Sequence, residues 1–216
     1  MRVLSFVLIL SFAGLCIAQT NDADYIVIKP QPNMIFEDSS EFHRINKQHA
    51  ILAQIAGIGP NSTFSHGLIY NYFYSRNQIF HIEATNNSMV DRTLSTAYEL
   101  SATSFGLYYK RFLGNSLYIR GGIDQRRIDY TYNNGARQFQ GSSTAAGVLI
   151  GNQWNWNHIT FGCDWVGFSQ PFASSISGER LAVPSVSELA VLQDDQNRLV
   201  KNGVVNLLRV YLGASF

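Results

Sequence analysis

From His49 onward, apolar and polar residues alternate with a period of two, the spacing of strands whose side chains point to opposite faces in turn. Eight runs carry the pattern. Residues 49–58 set Ile51, Ala53 and Ile55 against Gln54, and Gly59-Pro60-Asn61 ends the run. Residues 65–74 put Leu68, Tyr70, Tyr72 and Tyr74 on one face and Gly67, Ile69, Asn71 and Phe73 on the other. After Ser75-Arg76-Asn77, residues 78–85 alternate Phe80, Ile82 and Ala84 with His81 and Glu83. A polar connection is expected over 86–101. Residues 102–113 then oppose Phe105, Leu107 and Tyr109 to Gly106, Tyr108 and Lys110, and Gly114-Asn115 signals a tight hairpin. Residues 116–130 turn Leu117, Ile119 and Ile123 one way and Tyr118, Arg120, Asp124 and Arg126 the other. Residues 142–153 follow, then an aromatic turn at Trp154-Asn155-Trp156-Asn157. The seventh run, 158–169, sets Ile159, Phe161, Cys163 and Trp165 against Thr160, Gly162 and Asp164. The eighth, 203–216, alternates Leu208, Val210, Leu212, Ala214 and Phe216 with Arg209, Tyr211, Gly213 and Ser215.

The expected connections alternate in length, with tight turns at 75–77, 114–115 and 154–157 and longer segments between the other pairs. Short turns at one end and long ones at the other are the pattern of a transmembrane β-barrel with both termini on the short-turn side. The longest connection, 170–202, carries its own signal. Ser185 and Glu188 match a capping box, and Val186, Leu189, Ala190 and Leu192 give a short apolar stripe with Gly203 as a stop. The pattern predicts one short helix in this last outer loop, with a lid over the barrel mouth as its first reading. It has no basic face to bind an anionic membrane.

The chain ahead of the strands reads differently. Arg2, the apolar stretch 3–10 and the small-residue site Cys16-Ile17-Ala18 predict a secretory signal peptide over 1–18. Residues 19–48, polar and broken by Pro30 and Pro32, read as a periplasmic lead or a plug-like segment, with the barrel occupying 49–216. Removal of Arg2 leaves basic and acidic residues equal at 15 each, with no polybasic run, which argues against nucleic acid as a partner. One cysteine, Cys163, would remain, so neither an intramolecular disulfide nor a thiolate metal cluster is expected. Aromatics make up 13% and charges 14%, while mean hydropathy stays near zero. That combination suits a barrel, whose lipid-facing and lumen-facing residues average out along each strand.

The eight runs, the turn parity and the Gly213-Ala214-Ser215-Phe216 ending together resemble the small bacterial outer-membrane barrels of the OmpX, OmpA-barrel and OmpW kind, over 49–216. The resemblance implies an all-β, eight-stranded antiparallel transmembrane barrel in the Gram-negative outer membrane. It implies outer-membrane lipid as surroundings and the barrel-insertion machinery as a partner reading the terminal strand at Phe216. A monomer without a cofactor is expected. Gly151 to Trp156 and Gly162 to Trp165 also look like segments of uncharacterised small barrels, which bring no activity with them.

By face, the lumen should hold Glu83, Asp124 and Asp164 with Lys110, Arg120, Arg126 and Arg209. A barrel this narrow is just wide enough for side chains to fill it, so buried charges must pair into a plug. An aromatic girdle is expected near the inner strand ends from Tyr74, Tyr109, Phe112, Trp154, Trp156 and Phe216. A non-enzymatic structural or surface role is the first reading. A narrow channel for small or apolar solutes comes second, and a lipid A acyl-modifying enzyme using His66 with Ser65, oriented by Glu99 or Asp91, third. Adjacent residues on a strand face opposite ways, which weighs against the enzyme. His81 and His158 are expected to point inward, with no metal-ligand spacing on one strand.

Overall fold

The computed structural model describes residues 39–58, 65–93, 96–132, 136–182 and 185–216; the side chains of 58, 89–93 and 96–97 are outside that description. The signal peptide and residues 19–38 of the lead lie outside it too. A short helix α1 (Ser40–Ile45) leads into β1 (His49–Ile58), β2 (Ser65–Ser75), β3 (Gln78–Thr93), β4 (Thr96–Phe112), β5 (Leu117–Tyr132), β6 (Arg137–Trp156) and β7 (Ile159–Leu181). Helix α2 (Val186–Gln196) runs into a π-helical turn (Asn197–Lys201), and β8 (Val204–Ser215) closes the chain. Each strand pairs antiparallel with the next, and β8 pairs with β1 from Ala50–Ser215 to Ile58–Leu207, so the sheet is a closed eight-stranded barrel.

The alternation read from sequence is the alternation of the wall. Ile51, Leu68, Phe80, Leu107, Ile123, Val148, Phe168 and Leu212 are exposed on the outside, while Leu52, Ile69, His81, Lys110, Arg120 and Tyr211 are buried inside. Closure leaves no unpaired edge through this zone, which is the condition for a sheet to sit in a medium that offers no hydrogen bonds.

Strand lengths differ from expectation in a consistent way. The expected polar connection 86–101 is mostly strand, since β3 and β4 pair from Gln78–Arg111 out to Thr93–Thr96. Likewise β7 continues for a further stretch beyond Ser169, paired with β6 as far as Arg137–Leu181, while its ladder with β8 stops at Ser169–Val204. Long outer connections are thus largely long strands. Beyond the apolar band the outward side chains become polar, so alternation fades although the backbone ladder continues. At the other end, Trp154 to Trp156 are strand rather than turn; the β6–β7 turn is Asn157-His158, with Asn157 at φ 45°. Asparagine tolerates this left-handed conformation.

Two local devices shape the wall. Trp165 and Val166 on β7 both face outward, and so do Leu207 and Leu208 on β8, with Leu208 at φ 40°. The register slips here against both flanking strands, between Ile150 and Gly151 and between Gly57 and Ile58. This paired irregularity keeps Asp164 and Arg209 opposite each other and both pointing inward. Inside, Gly162 makes room for a ring, because a Cβ there would land in the Tyr211 phenol.

Candidate functional site

The register across β4, β5 and β6 stacks the lumen in layers: Phe112–Tyr118–Gly151, Lys110–Arg120–Leu149, Tyr108–Gly122–Gly147, Gly106–Asp124–Ala145, Ser104–Arg126–Ser143, Ala102–Ile128–Gly141 and Leu100–Tyr130–Phe139. Both ends are apolar and the middle is charged.

The centre is a belt built by five strands, β3, β4, β5, β7 and β8. Arg209 on β8 donates to both Glu83 oxygens (3.2 Å each) and to Asp164 Oδ2 from Nε (2.9 Å) and Nη2 (2.5 Å). Arg120 Nη1 donates to Glu83 Oε2 (2.6 Å) and to His81 Nε2 (2.7 Å), and its guanidinium carbon lies 4.2 Å from the Tyr108 ring centroid. With Nε2 accepting, His81 Nδ1 donates to Asn71 Oδ1 (2.8 Å). The planar fork of arginine suits this sharing of two carboxylates.

Lys110 is fully buried yet, among the described residues, has no carboxylate in salt-bridge contact. It donates to Gln153 Oε1 (2.9 Å) and Tyr211 Oη (3.4 Å) and lies 4.2 Å from the Tyr118 ring centroid. Tyr211 and Tyr118 are joined hydroxyl to hydroxyl at 2.9 Å, and Tyr118 donates to Asp164 Oδ1. Two phenols therefore carry a hydrogen-bonded link from ammonium to carboxylate. Asp124 and Arg126 stand two and three layers beyond Arg120, paired at 3.2 Å and bridged by Ser169 Oγ (3.1 Å to Asp124 Oδ2, 3.3 Å to Arg126 Nη2). All seven charged residues expected in the lumen face it, in two groups: a belt of Glu83, Lys110, Arg120, Asp164 and Arg209, and the separate pair Asp124 and Arg126.

Both ends are stoppered. At the short-turn end α1 is capped by Ser39, whose hydroxyl accepts from Phe42 N (3.1 Å). Its Arg44 donates to the carbonyls of Arg76 (2.9 Å), Gly114 (3.3 Å) and Asn115 (2.5 Å) and stacks 3.7 Å from the Phe112 ring centroid. Burial lowers the Arg44 pKa to about 10, with Glu41 opposing, so it stays charged in neutral solution. Ser40 Oγ accepts from Asn155 N (2.8 Å). The plug-like reading of 19–48 carries no helix, although Ser39, an acidic first turn at Glu41 and basic His43 and Arg44 in the last turn spell one.

At the other end Leu192, Leu199 and Val200 pack on Leu100, Ala102, Ile128, Tyr130 and Phe139, which makes α2 and the π turn a lid. Gly141 is needed there, since a Cβ would strike Val200. Tyr130 donates to Asp195 Oδ2 (3.1 Å), and Arg137 pairs with Glu188 Oε2 (3.0 Å). Only half of the expected capping box forms: Ser185 Oγ accepts from Glu188 N (3.2 Å), while the Glu188 carboxylate goes to Arg137.

Among the expected girdle residues, Tyr74, Tyr109, Trp156 and Phe216 are exposed and Trp154 is half-buried, stacked 5.7 Å from Phe161. Tyr74, Phe80 and Tyr109 form an aromatic row with 6.0 Å spacings, and His49 lies 5.8 Å from Phe216. Phe112 departs from expectation, being buried in the lumen beneath Arg44. His158 departs as well: it sits exposed in the β6–β7 turn, 3.1 Å from Lys47 Nζ. His66 is exposed outside, whereas Ser65 is buried inside with Gln54. The Asp91 side chain lies outside the described residues, and Glu99 is exposed on β4. Among the described residues no group of three His, Cys, Asp or Glu side chains could hold a metal.

Fold and lumen together define a small closed antiparallel β-barrel, apolar outside and charged within. No family model matches the chain, and no curated protein does. Among solved structures it is similar to the attachment invasion locus protein Ail of Yersinia pestis, at 9% identity, covering 79% of this chain and 99% of that one, with a TM-score of 0.48. CarO2 of Acinetobacter baumannii gives 14% identity, 79% and 99% coverage and 0.47. A major outer membrane protein of Thermus thermophilus gives 12%, 78% and 99%, and 0.45.

Proposed function

We propose that the chain is an integral protein of the bacterial outer membrane, with a lumen closed by its own side chains and a non-enzymatic structural or surface role. The observation that carries the reading is an inversion: large apolar side chains ring the exterior of a closed sheet, while Glu83, Asp164, Arg120 and Arg209 are sealed inside. In water this exterior would be a contiguous apolar patch far beyond what a soluble monomer exposes. In hydrocarbon it is at home, and the girdle aromatics suit the headgroup level.

The enzyme reading is weaker, since His66 and Ser65 stand on opposite sides of the wall and His81 is clamped between Asn71 and Arg120. The test of membrane placement uses the three tryptophans, all on the outer face. In vesicles of brominated lipid, Trp165 fluorescence is expected to be quenched strongly and Trp156 less. A mature chain that folds and stays dissolved without detergent or lipid overturns the proposal. The closed lumen has its own readout: a planar bilayer should show no discrete conductance, even after removal of residues 186–201, because the belt and α1 remain.

A further inference from the structure

Gly121 opens a slot in the exterior wall that packing does not require. At the other described strand glycines an added Cβ would press on a neighbouring atom or, at Gly178, sit on a backbone at φ 64°. At Gly121, which shares the outward parity of Ile119 and Ile123, a Cβ would first meet Gly147 O at 3.8 Å, an ordinary contact. Tyr109 and Val148 stand opposite it on the flanking strands, and Ile119 and Ile123 lie on either side of it along β5, all four exposed. The glycine is thus the floor of a gap with large side chains around it. Arg111 lies one outward position nearer the short-turn end, about 7 Å along β4 from Tyr109, opposite Gln78 and Ile119. It is exposed, and among the described residues no hydrogen bond or ion pair engages its guanidinium. Glu41 is the one acidic side chain at this end among the described residues, and it is paired with Arg76 at 3.3 Å. An unpartnered cation at the level of the aromatic row therefore adjoins an apolar slot running away from it along the wall.

We infer that Arg111 and the Gly121 slot together seat one anionic phospholipid of the leaflet at the short-turn end, its phosphate on the guanidinium and the start of one acyl chain laid over Gly121. The inference rests on the placement of this wall in a membrane. A guanidinium meets phosphate oxygens through charge-assisted hydrogen bonds. An arginine near the end of a membrane span keeps its stem along the apolar wall and its charge at the headgroup level. The charge balance selects the lipid: a headgroup with an ammonium of its own brings a second cation to Arg111, whereas a net anionic one supplies the missing counter-charge.

The test is native mass spectrometry of the full mature chain, folded in detergent and titrated with phosphatidylglycerol or with phosphatidylcholine of the same acyl chains. One phosphatidylglycerol should be retained per barrel, at a lipid concentration about fivefold lower than phosphatidylcholine needs, the worth of one arginine beside an anionic headgroup. Arg111→Gln should erase this preference. Gly121→Leu, which fills the slot and leaves the cation, should release the retained lipid. Arg127→Gln, exposed at the long-strand end, should change neither. Free glycerol phosphate should not displace the lipid, since it has no chain for the slot. Equal retention of the two lipids, a preference that survives Arg111→Gln, retention untouched by Gly121→Leu, or displacement by glycerol phosphate overturns the inference. Membrane placement is read separately from the tryptophan quenching: a barrel quenched there that retains both lipids alike keeps its placement and loses this site.

Discussion

Arg209 holds two carboxylates together through hydrogen bonds to both Glu83 and Asp164, whereas Arg120 hydrogen-bonds Glu83 and stands 3.9 Å from Asp164. Truncating it leaves two buried negative charges short of a partner, a situation that costs about 3–5 kcal/mol. Arg209→Ala should lower the unfolding free energy of the lipid-folded barrel, measured by urea titration, by that amount. Glu83→Gln combined with Arg209→Gln should cost less than the sum of the two single changes, because each removes a charge the other was balancing. At this scale the period of two was a sufficient guide to which charges face inward, since parity alone puts Glu83, Lys110, Arg120 and Arg209 on one side. Phe112 shows how it can be misapplied. It shares the parity of Lys110 and belongs inside; its place near a strand end suggested the girdle instead. What parity could not say is which carboxylate meets which base, because that depends on strand order, tilt and the slip in register at Leu208.

The two helices differ in how far the chain announces them. Ser185 and the stripe behind it marked α2, although Glu188 chose Arg137 over the cap. Helix α1 is only six residues long, and its stability comes from where it docks, a matter settled by turns far away in sequence. Arg44→Ala removes three carbonyl contacts and a ring contact, which should weaken docking of α1 by about 2–4 kcal/mol. Hydrogen exchange at residues 40–45 should accelerate accordingly while the strand amides keep their protection. The ends of β3, β4 and β7 were misjudged for a related reason. A strand advertises itself by contrast between its faces, and past the apolar band that contrast disappears while the ladder persists.

For the whole molecule, the outward side chains decide the solvent. Leu107 lies on the exposed face between Phe105 and Tyr109, opposite Ile123. Leu107→Arg should cost about 2–4 kcal/mol of folding stability in a lipid bilayer, the penalty for a charge near the midplane. Gln125→Arg, at the polar margin of the same wall, should cost little. Equal effects at both positions in refolding titrations would mean that the wall does not meet hydrocarbon.

The seat of α1 has a consequence for assembly. Its contacts come from the β2–β3 turn at Arg76, the β4–β5 turn at Gly114 and Asn115, and the β6 end at Gln153 and Asn155. No single hairpin offers this seat; it comes into being when hairpins far apart in the chain converge. The stopper is therefore the last piece to settle, although it precedes every strand in the order of synthesis, and its settling marks a finished ring.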